Sequence, residues 1–170
     1  MARFAKDDSL FDNGSAASRW ATQRLARDAL LRTRRNEYAM NEPSAPYHAH
    51  VYYEARTRAV AERLHQQLDA MRANGVLTSL LFVGEMRDKS VGPHPKPQFE
   101  VHFLAAALKV VIPLLSSSGL TILVHPLTQD DVADHTTLAQ WIGEPLALDE
   151  TVLDPPGQNQ GIPRFGKTDV

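Results

Sequence analysis

Histidines are the residues of this chain that offer the most chemistry. Seven of them occur among 170 residues, whereas cysteine is absent. Imidazole accompanied by carboxylate, with no thiolate available, suits a borderline or harder metal ion such as iron(II) or zinc. The composition therefore indicates a metal-dependent enzyme. Five of the histidines lie in short, distinctive segments, at His48, His50, His94, His102 and His125.

The segments that carry these histidines predict strands and helices in the order β-α-β-β-α-β. Alternating or continuous apolar residues predict the strands, and apolar residues three or four positions apart predict the helices. Pro113 is expected to kink or shorten the second helix. The predicted strands cover residues 47–54, 78–86, 98–104 and 120–125, and the helices cover 56–73 and 105–117.

This order of elements is that of the split βαβ, or ferredoxin-like, motif. It predicts an α+β fold in which an antiparallel sheet has the strand order 4-1-3-2 and both helices cover one face. A further, C-terminal helix is expected from Thr128, as its N-cap, to about Trp141.

Side chains alternate between the two faces of a strand, so the predicted sheet has an apolar face and a polar face. The helices must cover the apolar face, which leaves the polar face open. The first strand runs antiparallel between the third and fourth, so residues early in it meet residues late in its neighbours. Imidazoles from three strands then point to one patch, at strand spacings of about 5 Å. The polar face collects His48, His50, Tyr52, Glu100, His102 and His125.

Three ligands on one side of a metal, with positions left for substrate and oxygen, form the layout of non-heme iron(II) oxygenases. The first choice of ligands is His50, His102 and His125, with His48 next. Glu100 is either the carboxylate ligand or an acceptor that orients a histidine. The alternative for any single histidine is an ordinary hydrogen-bonded group of the core or surface.

His94 lies in the loop between the second and third strands, flanked by Pro93 and Pro95. The prolines stiffen the backbone, which suits a side chain held for acid–base chemistry, although a rigid surface turn would have the same sequence. This loop lies at the opposite end of the sheet from the other histidines. His94 must therefore drape across the open face or come from a second subunit.

The composition of the whole chain limits the classes of partner that are expected. A content of 43% apolar and 22% charged residues supports a core, and a formal charge of −2 gives no reason to expect nucleic acid. No apolar run approaches the roughly 20 residues of a membrane span, so a soluble, cytoplasmic protein is expected. Apolar residues on the open face predict a homodimer in which two such faces pair. These residues are Leu81, Val83, Leu104 and Leu123.

Three segments are expected along the chain. Residues 1–40 hold eight basic and five acidic side chains and predict a basic helical extension. Residues 41–150 form the ferredoxin-like domain. Residues 151–170 are rich in proline and glycine and read as a tail.

Six short motifs resemble, in order and spacing, those of the DOPA 4,5-dioxygenase family of fungi and bacteria. The resemblance covers about residues 45–150. The motifs are His48-Ala49-His50-Val51-Tyr52-Tyr53, Gly92-Pro93-His94-Pro95, Phe99-Glu100-Val101-His102-Phe103, Leu123-Val124-His125-Pro126, Ala133-Asp134-His135-Thr136 and Trp141-Ile142-Gly143-Glu144-Pro145-Leu146.

The resemblance implies a dimeric ferredoxin-like subunit that opens a catechol ring beside a hydroxyl, using iron(II) and O₂. L-DOPA would give a seco-DOPA that cyclises to betalamic acid; the physiological catechol and the bond that is cut, 4,5 or 2,3, stay open. His94 and His48 are the candidate acid–base residues, and Tyr52 is a candidate hydrogen-bond donor to oxygen. The candidate anchors for a substrate carboxylate are Arg87, Lys89 and Lys96.

Two other functions fit the same residues. One is a zinc hydrolase or isomerase built on the same ligands, and zinc could also replace iron in a purified sample. The other is a non-catalytic, dimeric module that binds a small molecule or a metal, since a fold does not assign a function. Oxygen consumption with a catechol separates both from a dioxygenase.

Overall fold

The computed structural model describes Arg24 and residues 42–154 of the chain. The chain divides into two units, and nearly all described residues belong to the second, which starts at Tyr38. Arg24 is helical and exposed; the rest of the predicted N-terminal extension lies outside the described residues, as does the tail beyond residue 154. Within the described part, no helix is long and apolar enough to span a bilayer.

A five-stranded antiparallel sheet forms the centre of this unit. Its spatial order is β2-β3-β1-β4-β5, so β1 lies between β3 and β4 as the sequence predicts. The order contains the four predicted strands, with β5 added beside β4. The strands are β1 (Pro46–Tyr52), β2 (Leu80–Val83), β3 (Gln98–Leu104), β4 (Ile122–Pro126) and β5 (Gln140–Ile142).

Three α-helices accompany the sheet: α1 (Arg58–Ala73), α2 (Leu108–Ser117) and α3 (Asp131–His135). A 3₁₀ turn over Ala105–Ala107 leads into α2, and another covers Glu150–Val152. Gly75 ends α1 in the left-handed conformation, at φ 65°, which costs a glycine little. Pro113 lies inside α2, and the helix nevertheless continues to Ser117.

The core lies between the helices α1 and α2 and one face of the sheet. Alternate residues of β3, namely Phe99, Val101 and Phe103, are fully buried there, and Leu68 of α1 and Leu115 of α2 are buried in the same cluster. Burial of each large apolar side chain contributes roughly 1.5–3 kcal/mol. This packing fixes the direction of every strand residue, because the intervening residues must then face the other side.

The segment after β4 differs from the prediction of one long helix from Thr128 to Trp141. The helix starts three residues later, because the Asp130 side chain, not Thr128, accepts from the Ala133 backbone N–H at 2.9 Å. The Thr128 hydroxyl instead donates to Asp134. After His135 the chain returns to the sheet, where Trp141 is the partner of Leu123 on the edge of β4.

The strand β2 is also shorter than the predicted 78–86. It ends at Val83, and the Gly84 backbone N–H donates to the Glu100 carbonyl at 2.8 Å. A Cβ at Gly84 would lie 3.4 Å from that same carbonyl oxygen, so the close approach suits glycine. The following residues form a long loop, 84–97. An isolated antiparallel bridge joins Arg87, near the start of this loop, to Gln98, the first residue of β3.

Candidate metal centre

The register of three strands places the polar residues in rows across one face of the sheet. His48 of β1 is the partner of His102 of β3 and His125 of β4. One row further along, His50 is the partner of Glu100. The predicted convergence of imidazoles from three adjacent strands is therefore present.

This face, which the two core helices leave open, is covered by other elements of the same chain. His48, His50, His102 and His125 are each at most 1% exposed. Two elements form the cover: the loop 84–97, which carries His94, and α3, which carries His135. The segment after β5 contacts both, because the Asp149 N–H donates to the Pro93 carbonyl and the Asp154 N–H donates to Asp131.

His94 reaches the histidines within its own chain. The loop drapes over the sheet and brings the His94 ring to 3.9 Å from the His50 ring, centroid to centroid. Of the two routes considered for His94, the loop of the same chain crossing the sheet face is therefore the one that the structure shows. A second subunit is not required to supply this side chain.

His50 and His125 face each other through their Nε2 atoms, which lie 3.1 Å apart. The Nδ1 atom of His125 lies 2.7 Å from the Pro126 carbonyl, which can only accept a hydrogen bond. Nδ1 of His125 therefore carries the proton, and its Nε2 presents a lone pair toward His50. A backbone contact of this kind fixes the tautomer that a metal ligand needs.

His135, which the sequence places in one of the six motifs without a role, is a further residue of the cluster. Its Nδ1 atom lies 2.9 Å from the Asp131 carbonyl and 3.2 Å from the Asp131 carboxylate. The Asp131 contacts again leave Nε2 as the lone-pair nitrogen. The ring lies 4.4 Å from that of His125. Asp131, four residues before His135, was the available signal.

Two groups of histidines are close enough to hold a metal ion. The first is His48, His50 and His125, and the second is His50, His94 and His135; in each, one ligand atom per residue lies within 4.8 Å of the others. His50 belongs to both groups. It is therefore the centre of the cluster.

His102 and Glu100, which the sequence suggests as ligands, pair with each other. The Nε2 atom of His102 lies 3.1 Å from Glu100 Oε2. The His102 ring also stacks on that of His48, with centroids 4.0 Å apart and planes at 7°. Within the described part of the chain, neither residue belongs to the two groups. The contact matches the second of the two roles considered for Glu100, that of an acceptor orienting a histidine.

Burial keeps three histidines of the cluster, His50, His94 and His125, uncharged. It lowers the pKa of His50 and of His125 well below the usual range, and the neighbouring histidines lower both further. It also lowers the pKa of His94 to about 3, with His135 adding to the effect. His135 differs: burial lowers its pKa, but the hydrogen bonds that its Nδ1 atom donates to Asp131, together with the Asp131 charge, outweigh burial and leave the pKa raised. The neutral rings have lone pairs available at pH 7.

Tyr52 joins His94 at the edge of the cluster, with the hydroxyl 2.7 Å from His94 Nδ1. Burial raises the pKa of Tyr52, so the phenol keeps its proton. The Tyr52 ring stacks on Trp141 of β5, with centroids 5.9 Å apart. Two of the three candidate catalytic residues, Tyr52 and His94, are therefore in contact, and Trp141 of β5 packs against Tyr52.

The donor set fits a divalent metal ion. The imidazoles of the two groups, at His48, His50, His94, His125 and His135, supply nitrogen donors of the type that iron(II) and zinc accept. The Nδ1 atom of His50 is buried and has no hydrogen-bond partner among the described residues. Lone pairs packed together in this way cost free energy that a bound cation would offset.

The predicted substrate anchors, Arg87, Lys89 and Lys96, have contacts other than the histidine cluster. The Lys96 ammonium is paired with the Glu54 carboxylate at 2.5 Å. Arg87 and Lys89 line a surface cavity of about 300 Å³ together with Glu85, Met86 and Asp88. Their role in binding a substrate stays a prediction.

The fold and the site together define an α+β domain with a buried histidine cluster that can hold a metal ion. Comparison with known proteins narrows this class. The chain belongs to the Dopa 4,5-dioxygenase family, whose model matches residues 47–152.

Individual relatives agree with this assignment. A DOPA 4,5-dioxygenase of Amanita muscaria is 28% identical over 107 residues, which are 60% of this chain and 46% of that protein. An uncharacterized 21.2 kDa protein of Botryotinia fuckeliana is 36% identical over 76 residues, 39% of this chain and 42% of that protein. The chain thus spans less than half of either relative. A solved structure from Nostoc punctiforme PCC 73102, described as a "putative dioxygenase", has a TM-score of 0.53 and 38% identity, covering 65% of this chain and 91% of that one.

Proposed function

We propose that this protein is an extradiol catechol dioxygenase that uses non-heme iron(II) and O₂. The observation that carries the proposal is the buried cluster of uncharged imidazoles around His50, in a chain of the Dopa 4,5-dioxygenase family. L-DOPA is the proposed substrate, and the ring-opened seco-DOPA would cyclise to betalamic acid. The reaction adds both atoms of O₂, one to a new carboxylate and one to a new aldehyde.

His48, His50 and His125 are the proposed metal ligands. All three stand on paired strands at the centre of the sheet, and rigid elements hold ligands more precisely than loops do. His48 replaces His102 of the sequence-based set, because the nearest carboxylate occupies His102. Bound iron(II) would supply Lewis acidity toward the catechol hydroxyls and redox chemistry toward O₂.

His94 and Tyr52 are the proposed acid–base pair. The hydrogen bond between them can run in either direction, since a phenol both donates and accepts. When Nδ1 donates to Tyr52, Nε2 is a base that can take the proton of a catechol hydroxyl. The ring is then an imidazolium, and it can return this proton from Nε2 later in the reaction. One residue can thus serve both halves of the reaction.

The protein is further proposed to be a cytoplasmic homodimer of ferredoxin-like domains. The order β4-β1-β3-β2, with α1 and α2 on one face, supports this description of the domain. The strand β5 would be an addition to the motif that carries Trp141 to the site.

The metal requirement tests the function and separates it from a zinc hydrolase or a binding module. Metal-stripped protein would be loaded with iron(II) or with zinc without air, given L-DOPA, and then exposed to oxygen. We expect oxygen uptake and a yellow product with iron(II) and neither with zinc. Absence of uptake with L-DOPA and with simpler catechols, at full iron occupancy, would contradict the proposal.

A further inference from the structure

Gln98 is a buried polar residue at the candidate site to which no role has yet been assigned. It is the first residue of β3, 1% exposed, and the partner of Tyr52 across the strand pair. Because residues of a strand alternate, its side chain stands on the same face as those of Glu100 and His102. Its backbone N–H and carbonyl are both satisfied by Arg87.

The side-chain oxygen of Gln98 is buried and has no hydrogen-bond partner among the described residues. Such orphaned acceptors are rare in folded proteins and call for an explanation. The nearest hydroxyl by register, that of Tyr52, is engaged by His94 at 2.7 Å. The protein around Gln98 thus supplies this oxygen with no donor, whereas a ligand at the site could.

The distance along the strand indicates which part of a ligand would reach Gln98. A strand rises about 3.3 Å per residue, so Gln98 lies about 7 Å along β3 from Glu100, which is the partner of His50. This is about the length of an aromatic ring with its first substituent. A ring whose hydroxyls lie at the histidines would therefore direct its opposite substituent toward Gln98.

We propose that Gln98 is a specificity-determining residue whose side-chain oxygen accepts a hydrogen bond from an N–H donor of the aromatic substrate. The donor is the amino group of a side chain opposite the ring hydroxyls. The inference rests on the proposed function for the identity of the ring. It adds the position that distinguishes one catechol from another.

Equilibrium binding tests this role without turnover. Zinc-loaded protein would be titrated by calorimetry with L-DOPA, dopamine, catechol and 4-methylcatechol. The variants are Gln98→Met, which keeps the length but removes the acceptor, and Gln98→Glu, which keeps an acceptor oxygen. Leu104→Met, at the far end of the same strand, is the matched control.

We expect Gln98→Met to weaken the binding of L-DOPA and dopamine by about tenfold or more, because a hydrogen bond to a charged group is lost. Binding of 4-methylcatechol should be unchanged, and Gln98→Glu should restore most of the loss. Equal weakening of all four ligands would contradict the inference, because it would show a general disturbance of the site and not recognition of the amino group. If Gln98→Met does not fold, Gln98→Asn, which withdraws the amide, should show the same selectivity.

Wild-type affinities for all four ligands in the folded Gln98 variants would overturn the inference. That result is distinguishable from failure of the proposed function. If no catechol supports oxygen uptake but binding still depends on Gln98, the subsite stands and the reaction is wrong. If oxygen uptake is normal and Gln98→Met binds every ligand as the wild type does, the reaction stands and the subsite is wrong.

Discussion

His50 is the residue on which the candidate site most depends, because it belongs to both groups of possible ligands. We expect His50→Gln to lower metal affinity by at least about 100-fold, since loss of even an outer hydrogen-bond partner costs 10–100-fold. The measurement is metal content after dialysis against a chelator. His65→Gln is the matched control, because His65 contacts the Gly84 carbonyl from α1. Equal metal retention in the two variants would refute the assignment.

A pair of neighbouring histidines separates the two possible ligand sets. His48 and His102 are stacked and equally buried, but only His48 belongs to a metal-binding group. We expect His48→Gln to lose metal and oxygen uptake, and His102→Gln to keep most of its metal. If the order is reversed, the ligands are those suggested by the sequence, with His102 in place of His48.

At the scale of elements, the loop 84–97 is held in place by polar contacts at both of its ends. Asp88 accepts a hydrogen bond from the Tyr53 hydroxyl at 2.9 Å and forms an ion pair with Arg58. Lys96 pairs with Glu54 at the other end. These contacts are part-buried or exposed, so they contribute little to stability, but they fix where His94 lies.

Release of one end of this loop should therefore impair turnover more than folding. We expect Asp88→Ala to lower turnover by up to about 100-fold, the cost of a displacement near 1 Å in a catalytic group. Its melting temperature should stay close to that of Asp69→Ala, a control that removes an exposed ion pair from α1. Normal turnover in Asp88→Ala would mean that the loop needs no such restraint.

Elements governed by local pattern were predictable from the sequence. The strand β3 has its predicted bounds, because Phe99, Val101 and Phe103 alternate with polar residues and both faces are buried. The helix α1 follows from its stripe of apolar residues and ends at residue 73, as predicted. The antiparallel neighbours of β1 then bring His48, His50 and the other strand histidines together, and this part of the site was predicted.

Elements governed by long-range contacts were not predictable in the same way. The strand β5 has three residues and exists because the edge of β4 is available to pair with it. The course of the loop 84–97 depends on ion pairs with residues more than 25 positions away, which no local pattern predicts. His135 was given no role because the rings it approaches, those of His50 and His125, belong to strands and not to its own helix.

For the whole molecule, the predicted homodimer remains to be tested. A dimer is no longer needed to supply His94, because His94 reaches the cluster within its own chain. Leu123, one of the four apolar residues predicted to form the dimer contact, is fully buried within the single chain. Leu81 of the edge strand β2 is still 37% exposed. We expect a sedimenting mass near twice the 18.9 kDa of the chain. A sedimenting mass of one chain, with full oxygen uptake, would contradict the dimer.

The reaction itself can be tested most directly by the fate of oxygen. Iron(II)-loaded protein would turn over L-DOPA under isotopically labelled dioxygen, and the product mass would be measured. The account predicts a ring-opened product that keeps a labelled atom in its new carboxylate, which does not exchange with water. Consumption of oxygen with an unlabelled quinone as the product, at the same rate in His50→Gln, would contradict it.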